Sequence, residues 1–348
     1  MSPYTYTLLL SSLGLGTTLT FMSSHWLLAW MGLEINTLAM IPLMTQKHHP
    51  RATEATTKYF LTQATAASTL LFASTTNAWL TGQWDIQQTA HPIPAMLVTL
   101  ALALKIGLAP LHTWLPEVLQ GLNLMTGLIL STWQKLAPLA LLTQLPTLNQ
   151  TILTTLALTS ALTGGWGGLN QTQLRKILAY SSIAHLGWMI LALQYNPTLT
   201  LLALTIYIMM TTSTFLMFKL NNATNINSLS ISWTKAPTIT AMAPLMLLSL
   251  GGLPPLTGFM PKWLILQELT KQGVPSTATL MAMAALLSLY FYLRLTYSIT
   301  LTTPPNNLPG TTPWRLSSPE PSPVFSTLTM MTILLLPLTP TTMVLLNL

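Results

Sequence analysis

Long stretches without charge limit this chain more than any other feature. No Asp, Glu, Lys or Arg occurs between residues 136 and 174, or between 177 and 218. Such runs cannot enclose a soluble core, because the charges that would face water are missing. Charged residues make up only 5% of the 348 positions, against about 25% in a soluble domain. The apolar residues lie in continuous runs rather than at amphipathic spacing, so the class is an all-α polytopic membrane protein. A β-barrel would instead show short alternating segments.

Eleven candidate spans follow, each near the ~20 residues a bilayer core requires. They cover about 3–22, 25–45, 58–80, 95–119, 124–143, 149–168, 176–193, 199–219, 238–267, 275–300 and 324–346. Threonine is common in them, and its hydroxyl can bond back to the preceding turn. Loops after even-numbered spans hold Lys47, Arg51, Lys58, Arg175, Lys176, Lys219, Lys235 and Arg315, whereas loops after odd-numbered spans hold only Lys271. The positive-inside rule puts the N-terminus on the basic, cytoplasm-like side and the C-terminus opposite. The expected organisation is one transmembrane domain over 1–348, with repeats at about 1–145 and 146–300, a proline-rich connector at 301–323 and a last helix at 324–348.

The repeats rest on two matching stretches. "GLAPLHTWLPE" (107–117) lies in the fourth span and "GLPPLTGFMPK" (252–262) in the ninth. Both read Gly-Leu-x-Pro-Leu-x-x-aromatic-x-Pro-charge. The ninth span lies five crossings after the fourth, so the copies run in opposite directions, which predicts two inverted repeats, each with a broken helix. Pro110, Pro254 and Pro255 mark the breaks. A proline inside a helix costs about 3 kcal/mol and frees a carbonyl that something polar must satisfy. A pair of kinks used only for packing is the plainer alternative.

Charges inside the spans point to chemistry. Glu34, Lys105 and Lys135 lie near mid-span, where each costs roughly 2.5–3.5 kcal/mol to insert. Lys262 closes the second repeated motif. Arg294 is near enough to a span end to snorkel, and Glu117 is interfacial or functional. An amine out of water sheds its proton more readily, and a nearby carboxylate holds it, so such a pair is a proton switch. His112, in the first break, and His185, in "YSSIAHLGWM", suit proton relay near neutral pH, although a lone helix histidine can also be hydrogen-bonded packing.

Other chemistries find no support in the sequence. There is no cysteine, so cysteine-ligated zinc and ordinary iron–sulfur clusters are excluded. The histidines are scattered apart from His48-His49, so no metal cluster is expected. The bases are too dispersed for nucleic-acid binding. "TGGWGGLNQTQLRK" lacks Gly-Lys-Ser/Thr and has Asn170 where a dinucleotide fingerprint needs glycine; a tight interhelical turn is expected. No cleavable presequence is visible, and no cofactor is expected in this chain.

"LKIGLAPLHTWLPEV", "STWQKLAPL", "GGWGGLNQTQLRKILAYSSIAHLGW" and "GGLPPLTGFMPKW" resemble the NADH dehydrogenase subunit 2 family of mitochondrial respiratory complex I, itself similar to Mrp-type cation/proton antiporters. The resemblance covers essentially the whole chain. It implies proton translocation across the mitochondrial inner membrane, driven by ubiquinone reduction in other subunits, with the basic loops in the matrix. It further implies that Glu34 and Lys105 form a regulating ion pair, that Lys135 is the central relay, and that Lys262 leads toward the intermembrane side. His112 and His185 would connect them. Neighbouring membrane-arm subunits and phospholipid, with cardiolipin a candidate, are the implied partners. Leu250 stands where a second-repeat counterpart of Lys105 would be, so the halves are not equivalent channels. A stand-alone cation/proton antiporter and a structural spacer are the alternatives.

Overall fold

The structure is a computed structural model, described for residues 2–46, 49–89, 91–146, 149–234, 236–302 and 322–345. Lys47, His48, Lys235 and Arg315, and most of the expected connector, lie outside the described residues. The described residues are helical, with two isolated β-bridges, His25–Asp85 and Gln173–Asn225. Every expected apolar segment coincides with a helix or a broken pair. The first six helices are α1 (Pro3–Met22), α2 (Trp26–Met44), α3 (Pro50–Thr81), α4 (Pro92–Ile106), α5 (Trp114–Gly121) and α6 (Leu124–Gln144). They are followed by α7 (Gln150–Gly168), α8 (Leu174–Leu193), α9 (Pro197–Leu220), α10 (Ile226–Ser230), α11 (Pro237–Gly251), α12 (Phe259–Lys271) and α13 (Pro275–Thr300). The last two are α14 (Pro323–Leu334) and α15 (Thr339–Leu345).

By length and composition, α2, α8, α9 and α13 can each cross a membrane alone. α14 joins the following segment through a 70° bend to make a further candidate. Threonine, serine and glutamine dilute the others, most visibly in α3. The helix satisfies them locally, as expected: Thr17 donates to the Gly14 carbonyl at 2.8 Å and Thr65 to Thr62 at 2.9 Å. Proline at the first turn, where no N–H is needed, starts α1, α3, α4, α9, α11, α13 and α14.

The chain divides into two compact units, Met1–Leu156 and Ala157–Leu348. In the first, α1 packs on α2, α2 on α3, and α3 on both α4 and α5, while α6 closes against α1, α2 and α4. In the second, α9 contacts α8, α11, α12 and α14, and α13 packs on α11 and α12.

The tight interhelical turn expected in 163–176 is present, but the glycines do not form it. Gly164, Gly165, Gly167 and Gly168 lie in the last turns of α7, and the connection to α8 is the glycine-free 169–173. Their role is close approach: a Cβ on Gly164 would lie 2.6 Å from the Ala184 backbone nitrogen on α8. Arg294 on α13 reaches this connection, donating from its two terminal nitrogens to the Leu169 and Gln171 carbonyls. A cation on carbonyls at a helix C-terminus is favourable, so the arginine is held as well as directed to the loop.

Candidate functional site

Both repeated stretches build the same local structure. Gly107 and Gly252 end α4 and α11 with φ of +85° and +79°, a left-handed cap that glycine adopts without Cβ strain. In each, the glycine N–H and the following leucine N–H turn back on one carbonyl. The acceptor is Ala103 in the first break (2.9 and 3.0 Å) and Leu248 in the second (3.1 and 3.3 Å). The chain then turns through Pro110, or Pro254-Pro255, and resumes as helix at Trp114 or Phe259. The breaks expected at these prolines are therefore present in both units.

What satisfies the remaining carbonyls differs. In the first break, the Trp114 indole N–H donates to Leu104 O at 3.2 Å and the Gln63 amide donates to Lys105 O at 3.4 Å. In the second, Lys262 Nζ itself donates to Gly251 O at 2.7 Å. The aligned charges thus face different ways. Glu117, on α5, meets Lys58 at 2.8 Å on the exposed side of the unit, where Lys58 also meets Glu54 at 2.8 Å. Lys262 points inward and is 7% exposed. At the position matching His112 stands Thr257, whose hydroxyl donates to Thr332 O on α14 at 2.5 Å.

Lys105 and Lys135 are 6% and 2% exposed, and they line one cavity in the first unit. Asn36, Tyr59, Gln63, Trp114 and Gln134 share its wall. Space open to a water centre is about 20 Å³, enough for roughly one molecule. Pro138 also lines it. That proline sits inside α6 and removes the N–H that would have bonded the Gln134 carbonyl, so polar backbone is released one residue from Lys135.

Glu34 and His112 do not line this cavity. The Glu34 charge is near enough to act on both Lys105 and Tyr59. Yet Glu34 Oε2 and Lys105 Nζ are each buried without a hydrogen-bond partner among the described residues. The direct ion pair implied by the family resemblance is therefore absent here: Glu34 is only half-buried on α2, while Lys105 points into the cavity. His112 lies half-buried in the break between α4 and α5.

In the second unit, His185 and Lys262 do come together. They line a smaller cavity with Ser181, Trp188, Ser288 and Tyr292, with about 10 Å³ open to a water centre. His185 also packs on Tyr207, ring centroids 5.6 Å apart. Sequence reading missed the amides and hydroxyls of both walls. Gln134 beside Lys135 and Ser181 four residues before His185 were the available signals.

A buried lysine lining a small cavity beside a helix break, in each of two units of a helical membrane protein, fits the antiporter-like class. The family model described as NADH:quinone oxidoreductase/Mrp antiporter, transmembrane, matches residues 23–288, and the model for the NADH dehydrogenase subunit 2 C-terminus matches 289–343. The chain belongs to the NADH-ubiquinone oxidoreductase chain 2 family. It is 70% identical to that chain from Tetraodon nigroviridis over 347 residues, with both chains fully covered. It is 69% identical to the one from Oncorhynchus mykiss, covering 98% of each. Among solved structures, a chain of respiratory complex I from Thermus thermophilus superposes with a TM-score of 0.85 at 29% identity, over 100% of this chain and 80% of that one. A chain of the Mrp complex from Dietzia sp. gives 0.78 at 16% identity, over 95% and 74%, a likeness of fold.

Proposed function

We propose that this chain is an antiporter-like membrane-arm subunit of NADH:ubiquinone oxidoreductase. It moves protons across the mitochondrial inner membrane, coupled to electron transfer in other subunits, and carries no redox centre or NADH site of its own. The observation that carries the residue assignment is the shared cavity of Lys105 and Lys135, two lysines almost wholly out of water beside a helix break. Two adjacent ammonium groups repel, so a proton held on one disfavours a proton on the other. Lys135 is the central relay, Lys105 answers to the charge of Glu34, and His112 and His185 are relays. Lys262 takes the proton onward in the second half.

Eleven spans form two inverted repeats in this reading, with the N-terminus in the matrix and the C-terminus in the intermembrane space. Neighbouring membrane-arm subunits flank the chain, and phospholipid, cardiolipin included, contacts its lipid face. The test is Lys135→Met in the reconstituted intact complex, scored as protons moved per NADH oxidised. The amine is lost while a long apolar side chain fills its place, so the complex assembles and the ratio falls. An unchanged ratio in a fully assembled variant leaves the spacer reading standing. Uptake by the isolated chain in liposomes would instead favour a stand-alone antiporter.

A further inference from the structure

The second cavity contains a proton-handling group that neither the repeated motif nor the family assignment identifies. Its wall carries His185, Lys262, Ser181, Ser288 and Tyr292. Ser181 and Ser288 have already committed their hydroxyl hydrogens, donating to Leu178 O and Ala285 O at 2.8 Å each. They offer lone pairs to the cavity but no proton. The Trp188 indole can donate but has no lone pair to accept. A group that both takes and gives a proton can join an imidazole to an amine across such a cavity. Tyr292 is such a group: a hydroxyl donates and accepts at once.

Its position suits that task. Tyr292 is 1% exposed, and its hydroxyl is buried without a hydrogen-bond partner among the described residues, on the cavity wall it shares with Ser181. Its ring lies along Gly251: a methyl placed on that glycine would be 3.6 Å from Cδ2 and 3.8 Å from Cβ of the tyrosine. Gly251 is the residue whose carbonyl holds Lys262 Nζ. One glycine therefore touches both partners: its carbonyl holds the amine, and the tyrosine ring packs within van der Waals reach of its Cα side.

We propose that Tyr292 passes protons between His185 and Lys262, with the lone pairs of Ser181 and Ser288 orienting its hydroxyl. The inference rests on the proton-translocation reading above. One proton arrives on the Tyr292 oxygen from the His185 side as the tyrosine's own hydroxyl proton leaves for the neutral Lys262 amine. The phenol is neutral before and after, so no tyrosinate forms. The space of about 10 Å³ lies at the lower limit for one bridging water.

Tyr292→Phe keeps the ring against Gly251 and removes only the hydroxyl. In the intact complex reconstituted into liposomes, two quantities are read: protons moved per NADH oxidised, and the solvent deuterium isotope effect on turnover. The variant should assemble and move fewer protons per NADH. Transfer through this half should slow about 10²-fold, the lower end for a positioned proton-transfer group, so the isotope effect should rise. A normal ratio overturns the proposal, and so does a lowered ratio with an unchanged isotope effect, which would mean packing alone. Should Tyr292→Phe fail to assemble, the double variant Ser181→Ala/Ser288→Ala leaves the ring intact and must show the same losses; normal pumping there overturns it equally. Lys262→Met, run alongside, separates the levels. Normal pumping in Lys262→Met removes the second-half route altogether, whereas loss in Lys262→Met with normal Tyr292→Phe removes only the tyrosine.

Discussion

Gly252→Ala tests whether the second break exists to seat a lysine. A Cβ at Gly252 would lie 2.8 Å from Lys262 Nζ, 2.9 Å from Cδ and 3.1 Å from Cε. Three atoms at the flexible end of the lysine are crowded together, so that end must shift. That motion takes Nζ off the Gly251 carbonyl, 2.7 Å away in the native protein. A hydrogen bond to a charged group contributes roughly 1.5–3 kcal/mol. The left-handed φ of +79° adds about 1–2 kcal/mol for any L-side chain. The sum is about 2.5–5 kcal/mol, and its larger part is felt by the lysine.

Gly107→Ala supplies the control. It meets the same backbone cost at φ +85°, but the atoms nearest its Cβ would be Leu115 Cδ1 at 3.0 Å and Trp114 at 3.3 Å, not a lysine. Both variants should therefore lower the melting temperature of the assembled complex to a similar degree through the cap. Only Gly252→Ala should also reduce protons moved per NADH through displacement of Lys262. Equal pumping in the two variants would refute the reasoning, because the lysine-specific term would then be absent.

The remaining predictions follow from the same contacts. Lys262→Met should pump poorly, and Lys262→Arg should as well, because arginine keeps its proton; rescue by arginine would make Lys262 a scaffold. Glu34→Gln should lower proton pumping and quinone reduction together in an assembled complex, since the carboxylate acts on Lys105 by its charge and not by contact; unchanged activities would remove Glu34 from the route. Glu117→Gln should leave melting temperature and pumping unchanged, since its partner Lys58 is exposed and already pairs with Glu54. Arg294→Met should destabilise the complex in thermal melts by unbinding the Leu169 and Gln171 carbonyls, and Arg294→Lys should restore only part of the loss, because one ammonium does not reproduce the fork.

The helices were legible because uncharged runs longer than a bilayer is thick allow little else. The breaks were legible because Gly and Pro recur in one order at 107–117 and 252–262, and the same cap geometry follows from the same residues. The pairing of side chains was not. Lys105 and Lys135 share a wall because α4 and α6 pack together, and no spacing along the chain encodes that contact. The pairing of Glu34 with Lys105 was implied by the family resemblance, and a match of motifs is blind to which way each side chain points. Gln63 passed unnoticed for the opposite reason. An uncharged amide in a threonine-rich helix stands out less than a lysine, yet it satisfies the Lys105 carbonyl that the break leaves free.

The two breaks answer one chemical demand in two ways, and the difference bears on function. A helix that stops inside a membrane must hand its last carbonyls to a donor. In the first unit those donors are an indole and an amide, groups that do not titrate, so Lys105 remains free to point into the cavity it shares with Lys135. In the second unit the donor is Lys262 itself. When its ammonium gives up a proton the remaining N–H can still donate to Gly251 O, but the bond loses its charge assistance and weakens. In the proposed reading, Lys262 is coupled to the geometry of the break, whereas Lys105 answers to the charge of Glu34. On that reading the first break serves a lysine that senses a neighbouring charge, and the second couples a proton to backbone structure. Two breaks with matching caps therefore need not do matching work, in keeping with the leucine that stands at position 250 where the first motif has its lysine.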